Sequence, residues 1–231
     1  MTARALIVGN TDGIGRALTK VLLDRDWSVS GVSRRTSDLA HPHYRHAVAD
    51  VAGADYARVL DEILAEGRPD LCVYCVGIGE LFEDADFAPE LDTFRVNLMA
   101  LAETAARVVP AMRERPPATF AGLSSMADAM PSRLAPAYSA SKAGMSSYLE
   151  GLGLAVRDDN VRVVNVRLGF VDTKMAKSPV KPFMLSPERA AVRIADAVTA
   201  ERPPLRVSIP RRMALTIALA SAVNRIRPGT V

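Results

Sequence analysis

The chain has 231 residues, 49% hydrophobic and 24% charged, which excludes a disordered polymer and allows a sizeable core. Its 29 basic and 26 acidic residues are interspersed and give a net charge of +3, so no basic run marks a nucleic-acid binder. Two cysteines, Cys72 and Cys75, are too few for a disulfide-stapled secreted fold, and the longest later apolar stretch, 213–223, is too short to cross a bilayer. The start of the chain carries no signal-peptide core, so a soluble protein of a reducing cytoplasm is expected.

Short β-prone runs alternate with longer helical patterns. Residues 5–8 are a continuous apolar run of strand length, followed by glycines and a helical pattern through Ile14, Leu18, Val21 and Leu22. Strands are expected at 27–32 and 44–51, a helix at 54–66, and a strand at 71–76. One helix is expected from about 91 to 113, then a strand at 119–123, a long helix at 138–157 and a strand at 161–168. Ser186 as N-cap and Pro187 at the first helical position open a helix to 200, and 205–209 is a last strand. Such alternation predicts a single doubly wound α/β domain of about seven parallel strands, with its ligand at the carboxyl ends of the strands. The proline-bearing segment 174–187 is the candidate lid.

The loop Gly9-Asn10-Thr11-Asp12-Gly13-Ile14-Gly15 lies between the first strand and the first helix. Glycines there permit a tight turn and let a pyrophosphate approach the helix N-terminus, where free N–H groups and the dipole favour anions. Nicotinamide cofactors differ at the adenosine ribose, which the tip of the second strand meets. That tip reads Ser33-Arg34-Arg35, with two arginines and no acid, which favours the phosphate of NADP(H) over the free hydroxyl of NAD(H). Asp12, an acid near the same region, argues the other way and keeps NAD(H) open.

Tyr138 and Lys142 are spaced i, i+4, one above the other on a helix face. An ammonium beside a phenol favours the phenolate, and such a tyrosine can exchange a proton with a substrate oxygen. Ser124 and Ser125 end the preceding strand, where a hydroxyl can polarise a carbonyl in the same cleft.

With these residues in this order, the sequence resembles the short-chain dehydrogenase/reductase family, in its compact single-domain branch, over about residues 4–200. The resemblance implies a cofactor loop at Gly9, Gly13 and Gly15, and a catalytic set of Ser125, Tyr138, Lys142 and Asn97, the asparagine supporting a water of the proton relay. It implies that Lys142 holds the nicotinamide ribose, that Asp50-Val51 meets the adenine, and that Val171 and Thr173 meet the nicotinamide amide. Two departures stand out. The family's N-N-A-G is here Tyr74-Cys75-Val76-Gly77, with only Gly77 retained, and the family's proline before Gly169 is Leu168, which is expected to loosen the entry to the lid. The function so implied is NADP(H)-dependent interconversion of a carbonyl and an alcohol on a small-molecule substrate. The alternative is a non-enzymatic NADP(H) sensor on the same fold.

Other features have plainer readings. Cys72 and Cys75 have redox-pair spacing but fall in a strand, where residues three apart face opposite ways, and are expected to be core cysteines. His41, His43 and His46 lack a companion acid or cysteine at ligand spacing, so no metal is expected. Gly144, Ser147 and Gly151 permit close helix packing, either within the chain or between subunits of a homodimer or homotetramer. A C-terminal helix at 211–227, apolar with basic ends, is expected to cover the pocket or a partner subunit, with contact to a membrane surface as the other possibility.

Overall fold

The apolar run at the start forms the central strand, and the sheet grows from it in both directions. The computed structural model describes residues 2–114, 117–176 and 181–214. Seven strands, β1 (Arg4–Val8), β2 (Ser28–Ser33), β3 (Tyr44–Val48), β4 (Leu71–Tyr74), β5 (Ala118–Ser125), β6 (Val161–Leu168) and β7 (Arg206–Ile209), pair in the order β3-β2-β1-β4-β5-β6-β7. Every pairing is parallel. This is the doubly wound α/β fold that the alternation predicts. The chain adds strands on one side of β1 and then returns to add β4 on the other, so a crevice opens at the carboxyl ends of these two neighbours, where the segments leaving them turn to opposite faces of the sheet.

Alternate residues of the strands feed two cores, which is why the strands read as unbroken apolar runs. Leu6 and Val8 pack with α2 (Tyr56–Glu66), α4 (Ala100–Arg113) and α5 (Pro136–Ala155). Ala5 and Ile7 pack with α1 (Gly13–Leu23) and α6 (Pro187–Val198). Cys72 belongs to the first core and Cys75 packs against the second, as their strand spacing requires. Burial raises both thiol pKa values and keeps them protonated, against redox chemistry.

The departures from expectation that bear on the site are these. The third strand stops at Val48, not Val51, because Asp50 makes a turn: its carboxylate accepts from the Ala52 amide (3.0 Å) and its carbonyl from that of Gly53 (2.9 Å). The expected helix at 91–113 is α3 (Ala88–Phe94), a π turn (Arg95–Met99) and α4, with Asn97 inside the π turn. Leu168 does not loosen the entry to the lid. It is the last residue of β6 and pairs with Ser125 on one side and Ile209 on the other. Ser186 caps α6 as expected, accepting from the Arg189 amide (3.3 Å).

Residues 177–180 of the candidate lid, and 215–231 with most of the expected C-terminal helix, lie outside the described residues. The residues just before the candidate lid are tied to its far end: Asp172 donates its amide to the Leu185 carbonyl (2.8 Å), and Leu185 donates to the Phe170 carbonyl (3.0 Å). Among the described residues no helix is long and apolar enough to cross a membrane.

Candidate active site

The glycine loop runs from β1 into α1. Gly9 has φ +90°, and a Cβ on Gly15 would lie 1.9 Å from the Gly9 carbonyl oxygen, so no side chain fits at either position. Asp12 caps α1 by accepting from the Gly13 amide (2.8 Å) and also pairs with Lys174 and Arg35, each at 3.0 Å. Lys174 first, then Arg35, hold its carboxyl pKa down to about 2, well below the usual 3.8. Thr11, Gly13 and Ile14 lie partly open along the loop. The Thr173 methyl is 3.2 Å from where a Gly13 Cβ would stand, so Thr173 and the glycine loop are neighbours.

Asn10 takes another direction. It is fully buried, in space left open by Gly31, whose added Cβ would lie 2.0 Å from the Asn10 amide nitrogen. It donates to the Tyr44 hydroxyl, accepts from Ser33 Oγ (3.0 Å) and meets His46 Nδ1 (3.2 Å). Asn10 and Ser33 therefore brace the loop from below, and Tyr44 and His46 are supporting residues that the sequence reading missed. Arg34, Arg35 and Asp50 are exposed just past their strands, and Val51 is buried at the rim.

The catalytic candidates meet at the ends of β4 and β5. Asn97 Oδ1 accepts from the Ile78 amide (2.8 Å), while its Nδ2 donates to the Ile78 carbonyl (2.8 Å) and to Ser141 Oγ (2.9 Å). The π turn presents the asparagine to that loop, a recurrent use of such bulges. Tyr74, the first residue of the altered N-N-A-G segment, donates its hydroxyl to the Val96 carbonyl (2.6 Å) and pins the π turn to β4. The Tyr138 phenol faces the Ser125 hydroxyl closely enough for the serine to stabilise its charged form, and its ring lies on Gly79, whose added Cβ would be 2.6 Å from Cδ2. Lys142 is buried beneath them, and its Nζ donates to the Leu123 carbonyl (2.9 Å). A Cβ on Gly77 would meet Lys142 Nζ at 3.3 Å, Met175 Cε at 3.4 Å and Asn97 Oδ1 at 3.6 Å, so these groups share one crevice.

The electrostatics correct one expectation. Lys142 Nζ is 6.0 Å from the Tyr138 ring centroid, and burial raises the phenol pKa, offset only in part by Ser125. Burial, and not the lysine, sets the direction of the phenol's shift. Burial instead lowers the Lys142 pKa from 10.5 to about 8.

Behind Ser125 lies a buried ion pair that the sequence reading passed over. Ser125 accepts from the Ala127 amide (3.1 Å) and so caps the short helical turn that carries Asp128. Asp128 accepts from both Arg167 Nε (2.6 Å) and Nη2, and from Ser146 Oγ (2.6 Å), with side-chain exposures of 7% for Asp128 and 13% for Arg167. Removing one partner strands the other charge out of water. Arg167→Ala is expected to lower unfolding stability by about 3–5 kcal/mol in denaturant titration; a loss below ~1 kcal/mol would show that the pair is dispensable.

The histidines do not cluster on an ion, and no metal-type group of three or more occurs among the described residues. Gly144 packs within the chain, where an added Cβ would lie 3.0 Å from Leu98 Cδ2, whereas a Cβ on Gly151 would meet nothing within 4 Å.

A doubly wound parallel sheet with a glycine loop at the end of its first strand is the architecture of a dinucleotide-binding fold. The sequence matches the family model for short chain dehydrogenases over residues 3–182, and the chain belongs to that family. A curated relative is the very-long-chain 3-oxoacyl-CoA reductase of Anas platyrhynchos, 31% identical over 195 residues, or 76% of this chain and 62% of that protein. The chain spans 56% to 62% of the length of three such relatives, this one included. Among solved structures, a short-chain dehydrogenase from Streptomyces avermitilis superposes with a TM-score of 0.86 at 24% identity, over 99% of this chain and 95% of that one. A short-chain dehydrogenase from Burkholderia cenocepacia in complex with NADP gives a TM-score of 0.84 at 19% identity, over 97% and 96%.

Proposed function

We propose that this chain is an NADP(H)-dependent oxidoreductase that interconverts a carbonyl and an alcohol. The observation that carries the reading is the Tyr138 phenol facing Ser125 in a crevice shared with Lys142 and Asn97. The chain's own residues fit a dinucleotide: side chains are barred at Gly9 and Gly15, and a Gly77 side chain would crowd Lys142. When bound, the nicotinamide supplies or accepts hydride. In reduction, Tyr138 gives its phenolic proton to the carbonyl oxygen. Ser125 donates a hydrogen bond to the same oxygen and stabilises its developing charge. Lys142, steadied by the Leu123 carbonyl, offers its ammonium to the ribose. Asn97, anchored at Ile78, keeps the crevice polar on the route by which Tyr138 regains its proton. An NADPH-oxidation screen across ketones and aldehydes of graded size, acyl thioesters and sugars tests the reading; binding of NADPH without turnover of any of them counts against it.

The preference for NADP(H) rests on Arg34 and Arg35 and on the Burkholderia cenocepacia structure, which holds NADP. Asp12 competes for Arg35, so a 2'-phosphate there must share that guanidinium. Arg34→Ala and Arg35→Ala are each expected to weaken NADPH binding about 10-fold and NADH binding little, one charge-assisted hydrogen bond being lost. Asp12→Asn is expected to strengthen NADPH binding only ~3-fold, because exposed pairs are weak. Equal losses for both cofactors in the arginine variants would refute the phosphate assignment.

Pairing with a second copy through α4 and α5 is part of the same proposal, supported by the open face at Gly151 and by Leu154, which is 61% exposed. The thiols of Cys72 and Cys75, both free, suit a reducing cytoplasm.

A further inference from the structure

Two loops frame the mouth of the crevice, and both carry large apolar side chains into solvent. The first leaves Gly79, on the Tyr138 ring, and runs through Leu81, Phe82 and Phe87. The second follows Ser125 and carries Met130 and Leu134. The Phe82 amide donates to the Leu134 carbonyl (2.8 Å) and joins the loops, and the Phe82 and Phe87 rings meet edge-on at 5.5 Å. Exposures are 58% for Leu81, 37% for Phe82, 58% for Phe87, 40% for Met130 and 65% for Leu134. Leu81 and Phe82 are two and three residues from Gly79, within ~11 Å along the chain. So large an exposed apolar lip signals something it binds.

The charge on the same lip is one-sided. Residues 79–90 hold Glu80, Glu83, Asp84, Asp86 and Glu90 and no base, and residues 130–137 hold only Arg133. Some of these carboxylates have local duties, Asp86 accepting from the Ala88 amide and Glu90 from the Ala137 amide, but all of them stand on the loop at the entrance. A hydrocarbon chain is attracted to this mouth; a phosphate- or carboxylate-bearing substrate meets negative charge.

Resting on the carbonyl–alcohol reading above, we propose that the substrate is a ketone or secondary alcohol with a hydrocarbon tail and no anionic group, neutral or cationic. The tail lies on the lip formed by Leu81, Phe82, Phe87 and Leu134 while the carbonyl reaches Tyr138. A thioester of coenzyme A, whose phosphates would stand at the acidic loop, is disfavoured.

The experiment is a matched series with NADPH: butanone, 2-hexanone, 2-octanone and 2-decanone, an ω-amino and an ω-carboxylate methyl ketone of equal length, and a 3-oxoacyl-CoA. The expected result is a rise in kcat/KM of ~3-fold per added methylene. The keto acid and the thioester should fall at least ~10-fold below the neutral and amino ketones. Phe87→Ser should lower the ratio of 2-decanone to butanone turnover by ~5-fold or more, through lost apolar area. The double variant Glu83→Lys, Asp84→Lys, on an exposed loop, should raise the ratio of keto acid to neutral ketone. A flat chain-length series, or preference for the keto acid or thioester, overturns the substrate class while leaving the carbonyl reading intact. If no ketone turns over, that reading fails, and calorimetry with the NADPH complex still decides the lip: decanol and decylamine binding more tightly than decanoate supports it, and equal or absent binding overturns it. Sedimentation showing a dimer that Phe87→Ser dissociates assigns the lip to a second copy and also overturns it.

Discussion

Tyr138→Phe is expected to cut turnover by ~100-fold or more while leaving the NADPH dissociation constant and the melting temperature close to wild type. General acid–base catalysis by a positioned side chain contributes about 10²–10⁴-fold, and the variant removes the one phenol placed to transfer the proton. The hydroxyl it deletes faces Ser125, which retains its bond from the Ala127 amide, so the local structure has little reason to change. One lost hydrogen bond costs about 1 kcal/mol. The pH dependence separates the two directions. Burial raises the Tyr138 pKa, so the phenol holds its proton through neutral pH. Carbonyl reduction should then be level across neutral pH and decline only in alkali, whereas alcohol oxidation, which needs the phenolate as base, should climb with pH. Steady-state rates in both directions check this. Near-normal turnover in Tyr138→Phe would remove the assignment, and an oxidation rate independent of pH would remove the role of the phenolate.

Parts of this site can be read from local sequence because short-range geometry governs them. The run of residues 5–8 can only be a buried strand, Gly13 and Gly15 mark its turn into a helix, and the i, i+4 spacing sets Tyr138 and Lys142 on one face of α5. What cannot be read depends on partners distant in the chain. The π turn exists beside bonds from Asn97 to Ile78 and Ser141 and from Tyr74 to Val96, none of which changes the helical periodicity of residues 91–113. Asn10 looks like a ligand of the cofactor, yet Tyr44, His46 and Ser33 turn it into the scaffold, through a gap visible only as a glycine at position 31. Arg167 reads as an outward strand residue until Asp128 folds over it. The Tyr138–Lys142 spacing is legible; their electrostatics are not, because the pKa of each is governed by burial, not by the other.

Lys142→Met is expected to abolish turnover and at the same time stabilise the cofactor-free chain at neutral pH. The lysine is 3% exposed, and burial lowers its pKa from 10.5 to about 8. Keeping it charged in the folded state at pH 7 therefore costs roughly 3 kcal/mol, because each tenfold loss of proton affinity on folding is worth about 1.4 kcal/mol. Methionine has similar length and no charge, and it leaves the Leu123 carbonyl and the weakly accepting Met145 sulfur without their donor, a loss of about 1 kcal/mol. The net gain is about 2 kcal/mol, read in denaturant titration. The sign of the pH effect follows from the depressed value. Below about pH 8 the amine is protonated folded and unfolded, and the cost is constant. Between about 8 and 10.5 the folded chain has released a proton that the unfolded chain retains, so wild type gains stability and its gap from the variant closes. Added NADP(H) should restore the order from the other side, stabilising wild type more than the variant if the ammonium holds the ribose. A variant less stable than wild type at pH 7 without cofactor would show that the buried ammonium is already compensated within the fold. Activity at Lys142 would then carry no cost in stability, and its place in the crevice would be structural.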